Sequence, residues 1–328
     1  MSSRPSHSAE TTPVGPAPSS SHGPQYRPGA GVALLTTGAA STQIGAACAA
    51  MVIAPLGIPA VVAIRQLVMS LMHVPLAWRY LRRARSRDLA WGVLVALPLA
   101  GMNTAIYAAI AEIGVGLAVT LEFLGPLILA VIATRNLIGV LCAGAGFAGM
   151  ILVTGPQGSA TPAGAFFALL AALCWALYLA AARSAGRRLE GLAPSAIAAV
   201  CTTALFGPIA LATMDFGAVT VPIMALALLA GLLSSAIPYA ADVLALRRLP
   251  LGIASTLMSL HPACAALAGA IILGEKLTPA DLTGLALISV ANVVAVAAGM
   301  RGTGSPARGR SLLLKRSRKP SKDEPSNN

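Results

Sequence analysis

Charge is what this 328-residue chain has least of. Charged residues make up 10% of it, where a soluble domain carries about 25%. Only 11 residues are acidic, while 56% are hydrophobic and the mean hydropathy is +0.78. A soluble globule of this composition would have too few polar groups to cover its surface, so that class is excluded. Cysteine is also scarce. Cys48, Cys142, Cys174, Cys201 and Cys264 fall in five separate apolar stretches with no C-x-x-C pair, which excludes a disulfide scaffold and speaks against a metal site. The P-loop lysine motif is missing, so ATP drive within the chain is not expected. No Ser/His/Asp set, paired aspartates or metal cluster is visible; an enzyme is disfavoured and no cofactor is expected. Gly144-Ala-Gly146-Phe-Ala-Gly149 matches G-x-G-x-x-G, but it lies inside an apolar stretch with no acidic residue about 20 positions on. Small residues at that spacing indicate close helix packing, and they permit a homodimer.

What is present is apolar sequence long enough to cross a bilayer many times. Residues 1–30 read as a disordered tail, with seven Ser and six Pro and no periodicity. This tail is not expected to be a signal peptide, because the first apolar stretch begins only at Gly31 and is long enough to span. A spanning helix needs about 20 residues. Charges, Pro and Gly clusters divide the rest into ten segments, near 31–54, 59–78, 90–109, 116–134, 137–154, 164–182, 194–213, 221–241, 252–273 and 281–299. The charge-free run 31–64 is split at Pro55-Leu-Gly-Ile-Pro59. The fold class expected is all-α integral membrane, with ten transmembrane helices in one bundle.

The net charge of +12 is distributed as topology rather than as a phosphate-binding face, so no nucleic-acid partner is expected. The basic residues cluster in the N-tail, after the second, fourth, sixth and eighth segments, and in the tail 300–328. Lys276 alone falls on the opposite side, and Arg65 lies within a span. This asymmetry predicts both termini in the cytoplasm and an even number of crossings. The basic C-tail reads as a solvated end, with attraction to anionic lipid as the sharper reading.

An internal repeat follows. Gly116-Leu-Ala-Val-Thr-Leu-Glu-Phe-Leu-Gly-Pro126 aligns with Gly252-Ile-Ala-Ser-Thr-Leu-Met-Ser-Leu-His-Pro262, identical at six of eleven positions. These are the fourth and ninth segments, so the repeat unit is five helices. Two odd-numbered units in succession have opposite orientations, the inverted plan of secondary transporters. The expected halves are 31–154 and 164–299, joined by a linker over 155–163. Pro126 and Pro262 each remove a helix hydrogen bond at equivalent places and are candidate bend points.

Several residues stand out inside the spans. Glu122 lies about two turns into the fourth segment. A carboxylate there costs about 2.5–3.5 kcal/mol unless it faces a polar cavity or is protonated, which points to a proton or substrate pathway. Arg65 is equally out of place. It can clamp a substrate carboxylate, snorkel, or neutralise Glu122, and the sequence leaves these open. Asn103 and Tyr107 are four apart and share a helix face. Tyr239 follows Pro238. His261 precedes the repeat proline, beside Thr256 and Ser259, and reads as a lining or proton-relay residue. Asp242, five residues before Arg247, reads as half of a salt bridge.

The residues also carry a resemblance. Gly101-Met-Asn103 with Tyr107, Gly116 through Leu127, Pro238-Tyr239, Ala245-Leu-Arg-Arg-Leu-Pro250, Thr256-Leu-Met-Ser259, Leu273-Gly-Glu275-Lys-Leu-Thr278 and Ala63-Ile-Arg65 resemble the drug/metabolite transporter superfamily. The chain looks like a ten-helix member with two EamA-type repeats, and it is similar to the bacterial inner-membrane threonine/homoserine exporter group. The resemblance implies export of amino acids or related metabolites across a bacterial inner membrane, driven by the proton gradient or another gradient. It also implies a small-molecule substrate and the lipid bilayer as partners. Two positions depart from the pattern: His261 and Asp242 stand where glutamates are expected. Export of drugs or cationic toxins by the same fold, or a non-transporting receptor or assembly role, are the alternative readings.

Overall fold

The computed structural model describes residues 28–134, 137–155, 158–185, 189–246, 257–258 and 260–303, and among these the regular structure is entirely helical. The elements are α1 (Pro28–Leu56), α2 (Ile58–Leu81), α3 (Ser86–Glu122), α4 (Leu124–Thr134), α5 (Leu137–Thr154), α6 (Pro162–Ala185) and α7 (Ala193–Thr213). They continue with α8 (Val221–Gly231), α9 (Ile237–Leu246), α10 (His261–Ala268) and α11 (Pro279–Thr303). Two π-helical turns, Leu232–Ala236 and Gly269–Leu273, follow α8 and α10.

Proline and glycine punctuate this bundle as their chemistry demands. Pro59, Pro194, Pro222 and Pro262 sit in the first turns of their helices, where the missing N–H has no partner to lose. The charge-free run at the start breaks at Gly57, whose φ is 77°. The third apolar run is 44 residues, Ser86–Leu129. Straight, it would measure about 66 Å, roughly twice a bilayer's hydrocarbon core. It is instead kinked at Gly114, with φ 79° and ψ 171°, a region open in practice only to glycine. A second interruption, at Phe123, separates α3 from α4. Pro126 cannot donate to the carbonyl of Glu122 four residues back, which accounts for the break there.

Eight of the described helices are long and apolar enough to cross a membrane. The exterior is apolar, with Leu71, Val221 and Ile271 largely exposed, while Gln43, Arg65, His73, Asn103 and Glu122 are buried. That inside-out distribution is the one a hydrocarbon solvent selects. Within the bundle α2 packs on α7, α5 on α11, α3 on α6, and α1 on α8 and α9. Small residues let the backbones meet. A Cβ on Gly149 of α5 would lie 2.7 Å from the carbonyl oxygen of Gly284 on α11, and Gly284 is equally crowded by Gly149. The small-residue stripe read from the sequence is therefore used at least partly inside the chain, although Gly144 faces open space.

Candidate functional site

The site is built around the π turn Leu232–Ala236. A π turn shifts the backbone hydrogen-bond register by one and releases carbonyls from the helical ladder. Three side chains donate to carbonyls of this turn. The Ser41 hydroxyl donates to the carbonyl of Leu233 at 2.7 Å, Arg65 Nη2 to that of Ser234 at 3.3 Å, and His73 Nε2 to that of Ala236 at 2.9 Å. The turn is thereby clamped to α1 and α2.

Arg65 organises the rest. Its Nε donates to Ser234 Oγ at 2.8 Å, Nη2 also to Ser235 Oγ at 2.8 Å, and Nη1 to Asn103 Oδ1 at 2.8 Å. The guanidinium carbon sits 4.8 Å from the centre of the Tyr107 ring, a cation–π contact. Asn103 is held in turn by its Nδ2 donating to the carbonyl of Leu99 at 2.8 Å. Among the described residues, Arg65 makes no hydrogen bond to Glu122.

These groups border a cavity of about 220 Å³ between α1, α2, α3, α6, the α8–α9 region and α10. Glu122, Arg65, Asn103, Tyr107, Tyr239 and His261 all line it, together with Gln43, Phe123, Trp175 and Ser234. Glu122 is 8% exposed. Gln43 Nε2 donates to His261 Nδ1 at 3.1 Å, which leaves the ring proton for Nε2. Phe123 and Trp175 meet edge to face at 4.7 Å, and the His261 ring lies 5.8 Å from Phe123.

Six of the residues singled out in the sequence thus come together around one cavity. Thr256 and Ser259 lie outside the described residues, as does the side chain of Asp242. Pro126 lies in the first turn of α4 and Pro262 in that of α10, each next to a helix interruption. Sequence reading missed Gln43, Ser234, Ser235, Trp175 and His73. His73 is fully buried, with Nδ1 3.0 Å from Ser195 Oγ. Only His73 left a usable signal, as an ionisable residue within an apolar span.

Two further carboxylates fasten the ends. Glu275 accepts from the backbone amides of Val115 at 2.6 Å and Gly116 at 3.1 Å, the amides that open the helix after the Gly114 kink. It thereby answers unsatisfied donors at a helix N-terminus. Asp281 is fully buried and accepts from Ser159 N and Oγ and from Thr278 N and Oγ1. It joins the segment before α6 to the start of α11.

The comparisons agree with this architecture. A model described as the EamA-like transporter family matches residues 162–297. The threonine/homoserine exporter RhtA of Escherichia coli (strain K12) is 33% identical over 269 residues, covering 80% of this chain and 90% of that protein. Threonine/homoserine exporter RhtA of Salmonella typhimurium (strain LT2) is 32% identical with the same coverage. A crystal structure that is 18% identical superposes with a TM-score of 0.56, covering 88% of this chain and 99% of the solved one; this is a likeness of fold. With a third of its residues shared with the RhtA exporters along most of its length, and with an apolar exterior around a cavity that buried polar side chains help to line, this multi-pass membrane protein belongs to the EamA-like transporter family.

Proposed function

We propose that this protein exports amino acids such as threonine and homoserine, or closely related small metabolites, across a bacterial inner membrane by proton-coupled alternating access. The observation that carries the reading is a buried carboxylate, Glu122, that faces a mid-bundle cavity and, among the described residues, accepts no hydrogen bond from Arg65. An intramembrane carboxylate not held in a hydrogen-bonded ion pair is poised to exchange protons and bind substrate. The RhtA relatives supply the substrate class. The cavity volume favours a small substrate over a drug, since pockets for drug-sized ligands measure about 300–1,000 Å³.

In this reading Arg65 is a structural clamp that keeps Asn103, Tyr107 and the π turn in register. Tyr239 and His261 line the path, and Pro126 and Pro262 mark where helices bend during transport. The protein crosses the membrane ten times, with both termini in the cytoplasm and two inverted halves over 31–154 and 164–299. Two observations support the count. The Gly114 kink turns one 44-residue run into two crossings, and the shorter apolar helix His261–Leu273 adds another. Part of the packing also has the form expected when each crossing is exchanged with the one five later: the second packs on the seventh and the fifth on the tenth.

Cells lacking their own threonine and homoserine exporters test the reading. Expression of this chain is expected to speed efflux of preloaded labelled threonine or homoserine and to raise tolerance to both. Unchanged efflux, with the protein present in the membrane, contradicts it.

A further inference from the structure

A donor and acceptor inventory of the cavity shows what it lacks. Arg65 has five N–H groups, and four are engaged by Ser234, Ser235 and Asn103. It is therefore a poor candidate for a two-pronged grip on a ligand carboxylate. Asn103 is used at both ends of its amide. Among the described residues, the fully buried atom of the lining that lacks a partner is an acceptor. Gln43 is 3% exposed, its Nε2 is given to His261, and its Oε1 has no hydrogen-bond partner. Glu122, a carboxylate, lines the same cavity. The Phe123 and Trp175 rings line the wall beside them, and ring faces attract cations.

A buried acceptor with no donor is costly to leave alone and rewards a ligand that supplies one. An ammonium group carries three N–H donors and a positive charge. It suits a carboxylate, an amide oxygen and an aromatic wall together.

We propose that Gln43 Oε1 and Glu122 form the subsite that receives the substrate's ammonium group, with Phe123 and Trp175 as its wall. This deepens the amino-acid reading above and rests on it. Gln43 is then a specificity-determining residue, and His261 positions it by holding the other end of the amide. Recognition of the amine rather than the carboxylate follows. Were the amide turned over, Gln43 would present N–H groups and select a carboxylate instead, so the two arrangements predict opposite ligand preferences.

Calorimetric titration of the purified full-length protein decides between them. The ligands are L-homoserine, 3-aminopropan-1-ol, which is homoserine without its carboxylate, and 4-hydroxybutyrate, which is homoserine without its ammonium. The subsite predicts that 3-aminopropan-1-ol binds and 4-hydroxybutyrate binds at least about tenfold more weakly, the worth of a hydrogen bond to a charged group. Gln43→Met should weaken homoserine and 3-aminopropan-1-ol by about the same tenfold factor, because both lose the same acceptor. Gln43→Glu, which keeps an acceptor in place, should retain binding of both amines.

Stronger binding of 4-hydroxybutyrate than of 3-aminopropan-1-ol overturns the subsite while leaving the exporter reading intact, provided homoserine binds. So does a Gln43→Met protein with unchanged affinity for the amines. Binding of 3-aminopropan-1-ol without homoserine supports the subsite and removes the substrate assignment. Failure of all three ligands to bind a folded protein overturns both.

Discussion

Arg65 touches three separate parts of the bundle through one side chain: the π turn, the Asn103 amide and the Tyr107 ring. A planar guanidinium can hold these directions at once, and an ammonium cannot. Arg65→Lys should therefore keep the charge yet lose the arrangement. We expect it to cost about 2–4 kcal/mol, as buried hydrogen-bonded groups are left unpaired. A lowered thermal unfolding midpoint in detergent and a fall of homoserine efflux to near background would register the loss; a protein as stable and active as the parent would contradict it. Residues of this kind are half legible in a sequence. Arg65 and Glu122 stand out because an ionised group in an apolar span is expensive. Gln43, Ser234 and Ser235 do not, since single neutral polar residues in a membrane helix cost little and leave no period. Even for Arg65 the sequence left its role open among clamp, snorkel and partner of Glu122, because which donors a fork satisfies depends on where other helices stand.

At the scale of elements, the bundle is shaped by its interruptions. Gly114 kinks the longest apolar run, and Glu275 seals the exposed amides of the helix that follows. A Cβ at Gly114 would lie 2.6 Å from the Glu275 carboxyl carbon as well as forcing an unfavourable backbone. Gly114→Ala should cost about 1–3 kcal/mol in backbone strain alone. Thermal unfolding in detergent measures it, and an unchanged midpoint would show that the fold does not depend on glycine there. Breaks of this sort were readable, because glycine and proline announce them: the splits near Pro55–Pro59 and before Gly116 fall within a few residues of the observed ones. The π turns were not readable. Leu-Leu-Ser-Ser-Ala has no residue that demands an extra register step, and the turn is held by Ser41, Arg65 and His73 from other helices.

For the whole molecule, the distribution of arginine argues a direction that helix packing alone does not. With Lys276 alone on one side of the expected topology and the other loop and tail basic residues on the opposite side, reporter fusions should find both ends in the cytoplasm. Green fluorescent protein at either terminus should fluoresce, and alkaline phosphatase at the C-terminus should be inactive. Opposite reporters at the two ends would require an odd number of crossings and end the inverted-repeat account. The proposed transport is also a property of the whole molecule, since alternating access needs the cavity to open on each side in turn. The most direct measurement is efflux of labelled homoserine from proteoliposomes under an imposed pH gradient, with the parent protein and Glu122→Gln side by side. The account predicts that the parent moves homoserine faster when the gradient is present, and that Glu122→Gln is inactive or indifferent to the gradient. A Glu122→Gln protein whose transport still follows the pH gradient as the parent's does would contradict it, and would take Glu122 out of the mechanism.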